Sequence, residues 1–148
     1  MSIALLDVNA LLALLWKNHV FHERMMQWFS ENAQKGWATC PITEQGFVRI
    51  ISNTSTISPA PRVPVAMDLL QKVIETSTNH EFWADDLPLS GLSATLRNRL
   101  QGHKQITDAY LLALAVHRKG MLVTFDFRIA ALAPIGSVEH DSLHLLRL

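Results

Sequence analysis

The sequence predicts an α/β fold of three layers, with a central, mostly parallel sheet flanked by helices on both faces. Three observations point there. Short apolar runs that read as strands alternate along the chain with segments of helical periodicity. Those runs lack strict polar alternation, so both their faces are buried, as in a parallel sheet covered on two sides. A length of 148 residues, 49% hydrophobic and 18% charged, suits one globular domain over 1–148 with a substantial core.

The elements follow in order. "IALLD" at 3–7 is a wholly apolar strand ending on an acid, and "NALLALLW" at 9–16 reads as a helix. Residues 19–34 carry Val20, Phe21, Met25, Trp28 and Phe29 at helical spacing, and Gly36 ends that helix. "WATC" at 37–40 is a strand that Pro41 stops, and "TEQGFVRIIS" at 43–52 is a helix with Thr43 as its cap. The Ser-, Thr- and Pro-rich stretch 52–61 is a loop. A helix over 65–75 buries Ala66, Leu69, Leu70, Val73 and Ile74, and "EFWA" at 81–84 is the next strand. Residues 90–101 form a short amphipathic helix through Leu92, Leu96 and Leu100. The segment 107–120 is nearly all apolar, hence buried on most sides, with His117, Arg118 and Lys119 suiting its C-terminal end and Gly120 closing it. "MLVTFD" at 121–126 and "LHLLRL" at 143–148 are the last strands.

Thirteen basic residues balance thirteen acidic ones, which argues against a generally basic nucleic-acid binder but leaves room for a local basic groove. With the single cysteine Cys40 no intrachain disulfide can form, and a reducing, cytoplasmic setting is expected. The first sixteen residues have no basic leader region and are interrupted by Asp7 and Asn9, so they do not read as a signal peptide, and no run reaches a membrane span.

Asp7 is the anomaly. It lies within the most hydrophobic run of the chain, where an unpaired buried charge costs several kcal/mol, so it must reach water, a cation or a proton. In a parallel sheet Asp7 and Asp126 leave the same edge, Glu44 lies just past another strand end, and Asp108 begins the long buried helix. Converging carboxylates repel, by about 4 kcal/mol at about 4 Å in an intermediate dielectric. A divalent cation relieves that repulsion. Oxygen ligands without companion Cys or His favour Mg²⁺ or Mn²⁺, the usual equipment for phosphodiester hydrolysis.

With these residues in place the chain resembles the PIN-domain ribonucleases, in particular the VapC-type toxins of VapBC toxin–antitoxin modules. The matching pieces are "LLDVNALLAL", "TCPITEQGFVRI", "EFWADDLP" and "GHKQITDAYLLALAVHRKGMLVTFD", in the family's order and over nearly the whole chain. The resemblance implies a PIN-like fold and a metal-dependent endoribonuclease. Its acidic site would be Asp7, Glu44, Asp108 and Asp126, with Asp7, Asp108 and Asp126 on the metal, and Glu44 as a ligand or as the group that helps deprotonate water. Asn9, Thr107 and Thr124 would be supporting polar neighbours. The implied substrate is structured RNA, transfer or ribosomal. The implied partners are an antitoxin whose C-terminal segment blocks the site and a second copy of the chain in a homodimer.

Each acid also has a plainer explanation. Glu44 and Asp108 could merely favour a helix N-terminus, worth about 0.3–1 kcal/mol, and Asp126 could be a turn residue. Asp85 and Asp86 read as loop or capping residues. Arg97, Arg99, His103 and Lys104, gathered before Asp108, form a candidate RNA-contacting rim or else a solvated face, and Arg49 can pair with acids of the fold. His19 and His22, three apart on a helix, suit packing better than metal, and Cys40 reads as a small buried apolar group. Trp16, Phe21 and Trp28 could belong to a dimer or antitoxin surface. Two rival functions are a non-catalytic binding module on the same fold and a PIN nuclease of RNA processing.

Overall fold

Three-residue apolar segments are too short to shield themselves, and the chain assembles five of them into one sheet. A computed structural model describes residues 2–147, so Leu148, the end of the expected last strand, lies outside the described residues. The strands are β1 (Ala4–Leu6), β2 (Trp37–Thr39), β3 (His80–Phe82), β4 (Met121–Thr124) and β5 (Leu143–Leu145). They run in the order β3-β2-β1-β4-β5, and every adjacent pair is parallel. The chain builds outward from β1 in one direction and then returns to add β4 on its other side. The carboxyl ends of β1 and β4 therefore flank the point where strand order reverses, the crevice in which such sheets hold ligands.

Alternation along each strand separates the two cores. Ala4, Leu6, Trp37 and Val123 face one side, against α1 (Val8–Leu15), α2 (His22–Asn32), α3 (Pro41–Ile51) and α4 (Val63–Thr76). Leu5, Ala38 and Leu122 face the other, against α5 (Ala94–Arg99) and α6 (Ile106–His117), with Ile129 and Leu132 of the turn after β4. These are the three layers the sequence predicts. Helix α6 has seven successive buried residues, Ala109–Ala115, as its apolar run requires.

Several boundaries differ from expectation. The second helix begins at His22 rather than 19, because the chain first turns: His19 N–H donates to Trp16 O and His22 N–H to His19 O. Helix α3 begins at Pro41, whose fixed φ and missing N–H suit a first helical position. Cys40 is its cap, and Thr43 stands three residues in, its hydroxyl accepting from Cys40 N–H at 3.1 Å. The helix expected over 90–101 shortens to α5, capped by Ser93 Oγ, which accepts from Leu96 N–H at 3.2 Å. A short helix α7 (Val138–Asp141), which the sequence did not announce, precedes β5. It buries Glu139, whose Oε1 accepts from Ser93 Oγ at 2.5 Å.

The end of α6 corrects another expectation. Lys119, not Gly120, takes the left-handed conformation, with φ 57°. Gly120 N–H donates to Ala115 O and Lys119 N–H to Val116 O, which together satisfy the terminal carbonyls. Gly120 is required for space: a Cβ there would stand 2.5 Å from Ile3 O and 2.6 Å from the Trp83 ring. At Gly36, before β2, φ is 101°, so there the glycine is needed for its backbone freedom.

Candidate active site

Asp7 follows β1 and caps α1, its Oδ1 accepting from Val8 N–H at 2.8 Å. Leu6 pairs with Val123 across the β1–β4 ladder, so the next rung sets Asp7 beside Thr124, and the Thr124 hydroxyl donates to Asp7 Oδ2 at 2.8 Å. Both residues continue the face that packs on α6. Thr124 is fully buried, and its oxygen also accepts from Asn9 Nδ2 at 3.0 Å and from Asp126 N–H at 3.0 Å. With its accepting capacity used, its one proton is committed to Asp7. Asn9 Oδ1 in turn accepts from Phe125 N–H at 3.0 Å. Asn9 and Thr124 thus lock the Asp7 carboxylate to the turn that carries Asp126.

Asp108, in the first turn of α6, approaches the same pair. Burial, then the charges of Asp7 and Asp126, push its carboxyl up to about 6, and Arg128 opposes this. Asp7 is only 6% exposed and is pushed up chiefly by burial, against the bonds from Thr124 and Val8. Asp126 is held down first by its hydrogen bond from the Arg128 guanidinium. Among the described residues only Asp126 of the three has a cationic partner, in the Arg128 ion pair at 2.9 Å. The donor set consists of hard carboxylate oxygens with excess negative charge, which fits Mg²⁺ or Mn²⁺. No three acidic, histidine or cysteine side chains among the described residues already stand close enough together to hold an ion.

Glu44 lies in the first turn of α3, just past the end of β2. Its Oε2 accepts from the buried Thr39 hydroxyl at 2.6 Å, and His80 Nε2 lies 2.8 Å from the same hydroxyl. Thr39 shares the face of Trp37, which packs under α1–α4. Glu44 lines an open apolar groove between α3 and α4 with Val48, Val63, Met67 and Ile74. Thr107 is exposed beside Asp108. Arg97, Arg99, His103 and Lys104 are all exposed, the last two on the turn entering α6, while Arg99 Nη1 is tied to Ala131 O at 3.0 Å.

Several of the remaining polar residues have structural partners. Asp86 pairs with Arg118 at 2.9 Å, and Asp85 is an exposed loop residue. His22 Nδ1 bonds Ala13 O at 2.7 Å and His19 Nδ1 accepts from Phe21 N–H, so both serve local packing, and only His22 is helical. Cys40 is buried. Trp28 is buried in the core, and the half-buried Phe21 stacks on Phe125 with centroids 4.9 Å apart. Arg49 forms no ion pair among the described residues. Arg128 carries no signal in the sequence beyond its spacing of two from Asp126 at a strand end.

The raised carboxyl of Asp108 has a consequence for stability. Between the ordinary value of 3.8 and about 6 the folded chain holds a proton that the unfolded chain releases. This contribution is therefore complete below 3.8 and lost as pH rises through about 6. His19, His80 and His144 are shifted down by burial and act in the opposite sense, so a difference measurement is needed. Metal-free Asp108→Asn is expected to match the parent in urea midpoint near pH 4 and to exceed it by pH 7. A gap that does not widen with pH would show that Asp108 is not under this strain.

The fold and the site define a class: a doubly wound α/β domain with acidic residues gathered toward its switch point. Residues 4–134 match the PIN domain, and the chain belongs to that family. It is 47% identical over 139 residues to Ribonuclease VapC39 of Mycobacterium tuberculosis, covering 92% of this chain and 97% of that one. It is 48% identical over 136 residues to Ribonuclease VapC44 of the same organism, covering 92% and 94%. Ribonuclease VapC38, also from that organism, is 45% identical over 130 residues, covering 88% and 89%. No helix among the described residues is long and apolar enough to cross a membrane.

Proposed function

We propose that this protein is a metal-dependent endoribonuclease toxin that cleaves structured RNA, transfer or ribosomal, and is neutralised by a cognate antitoxin. The observation that carries the proposal is the buried Asp7 carboxylate, which has no ion-pair partner among the described residues and whose charge acts on Asp108 at the switch point. Its likeness to proteins named VapC ribonucleases supports the toxin assignment.

Asp7, Asp108 and Asp126 would hold Mg²⁺ or Mn²⁺. When bound, that ion supplies Lewis-acid polarisation of the phosphodiester and eases loss of a proton from water. Asn9 and Thr124 fix the orientation of Asp7. Glu44, in the first turn of α3 and held by the Thr39 hydroxyl, is assigned as a further ligand of the ion or as the group that helps deprotonate water. Arg97, Arg99, His103 and Lys104 are assigned to the RNA backbone, with Thr107 as a polar neighbour at the rim. The open groove between α3 and α4, beside Glu44, suits an apolar antitoxin segment, and exposed Val63 and Met67 supply its contact surface. A homodimer in a cytoplasmic setting completes the proposal.

The test is cleavage of a total RNA pool by antitoxin-free protein with Mn²⁺ or Mg²⁺, with EDTA, and with the Asp7→Asn variant. Discrete fragments that need metal and Asp7 support the assignment. Intact transfer and ribosomal RNA in the metal-loaded reaction would favour a binding module instead.

Thr124→Val leaves Asp7 without its hydroxyl donor and Asp126 N–H without its acceptor. It is expected to cost about 1–3 kcal/mol of stability and about 10–100-fold in activity. Thermal melts and initial rates check both, and unchanged rates would remove Thr124 from the site.

A further inference from the structure

Of the three site carboxylates, Asp126 alone is paired with a cation among the described residues, and the placement of that cation is specific. Arg128 Nε donates to Asp126 Oδ1 at 3.0 Å and Nη2 to Oδ2 at 2.9 Å, while the Arg128 backbone N–H adds a bond to Oδ1 at 2.9 Å. Both oxygens of Asp126 are thus engaged by a fork of the kind that also grips phosphate. Asp7 and Asp108 have no cationic partner among the described residues. The Arg128 side chain is 89% exposed, so no packing resists its swinging away. It lies two positions from Asp126, so it stays within reach of whatever occupies the site.

We propose that Arg128 is a built-in counter-cation that occupies Asp126 in the metal-free protein and passes to the scissile phosphodiester when a divalent cation takes the carboxylate. The fork fits because carboxylate and phosphodiester present the same pair of anionic oxygens. In the resting state it spares Asp126 from facing two other carboxylates uncompensated. In the working state it places a positive charge beside the phosphate. It competes with the metal and cooperates with the substrate, so its removal shifts the two in opposite directions. This inference rests on the proposed nuclease function.

The test uses the full chain, with Mn²⁺ binding followed by the spin-resonance signal of free Mn²⁺ and RNA cleavage followed separately. Arg128→Ala is expected to bind Mn²⁺ about threefold more tightly, the competition of an exposed ion pair having been removed. It should cleave RNA about tenfold more slowly at subsaturating substrate, from loss of a charged contact to phosphate. Arg128→Lys should fall between the two, because an ammonium cannot make the fork. A merely structural arginine would not tighten metal binding when removed. Mn²⁺ affinity unchanged or weakened in Arg128→Ala overturns this proposal alone. A parent protein that binds no Mn²⁺ at millimolar concentration overturns the metal-dependent nuclease and this inference together.

Discussion

Asp7→Asn is expected to lower RNA cleavage about a thousandfold, equivalent to ~4 kcal/mol of barrier, without unfolding the protein. Asparagine caps a helix as well as aspartate does, and its carbonyl oxygen can still accept from Val8 N–H. The Thr124 hydroxyl loses its acceptor on Asp7 but has another within reach, Asn9 Oδ1 at 3.4 Å. The substitution also removes a carboxylate that is strained by burial. The metal-free variant should therefore melt at or above the parent's temperature. Metal should separate the two proteins. A cation at 100 times its dissociation constant stabilises the parent by about 2.7 kcal/mol, and the variant should lose most of that gain. Thermal melts with and without Mn²⁺, run beside the cleavage assay, check both parts. A variant that still cleaves, and is still stabilised by Mn²⁺, would move the reaction away from Asp7.

Gly120→Ala should be the most damaging small change away from the site, costing about 3 kcal/mol. The new methyl would stand 2.5 Å from Ile3 O and 2.6 Å from the Trp83 ring. Ile3 O is not free to move, because it accepts from Met121 N–H at 2.9 Å at the start of the β1–β4 ladder. Trp83 is buried against the same layer. Relief must therefore come from shifting β4 against β1, the two strands that position Asp7 and Thr124. We expect a lower urea midpoint and, at temperatures where the variant stays folded, weaker Mn²⁺ binding as well. A midpoint within about 0.5 kcal/mol of the parent's would mean that the approach at Gly120 is easily relaxed.

The elements that position the site differ in how clearly the sequence announced them. "IALLD" and "MLVTFD" were legible as strands ending in acids because a strand buried on both faces must be apolar throughout, and any acid then marks its end. Asp108 was legible as the first-turn acid of a buried helix. Helix starts were less clear. Apolar spacing continues through the turn before the second helix and so predicts too early a start, and Thr43 reads as the cap that Cys40 provides. Glu139 gave no sign of burial, since only the fold brings Ser93 to it.

What the sequence determined by itself was the layered α/β architecture, the strand ends bearing Asp7 and Asp126, and the excess of carboxylates near one sheet edge, all consequences of local periodicity. The tertiary structure decided which of those acids meet. It set Thr124 on the rung beside Asp7, brought the first turn of α6 over both, and gave Asp126 to Arg128. It also tied Glu44 to the Thr39 hydroxyl at the end of β2. The physical reason is that side chains alternate across a strand, so facing depends on ladder register and on which helix covers each side. Those are set by contacts between residues more than a hundred positions apart in the chain, such as Asp7 with Thr124, which local pattern does not encode.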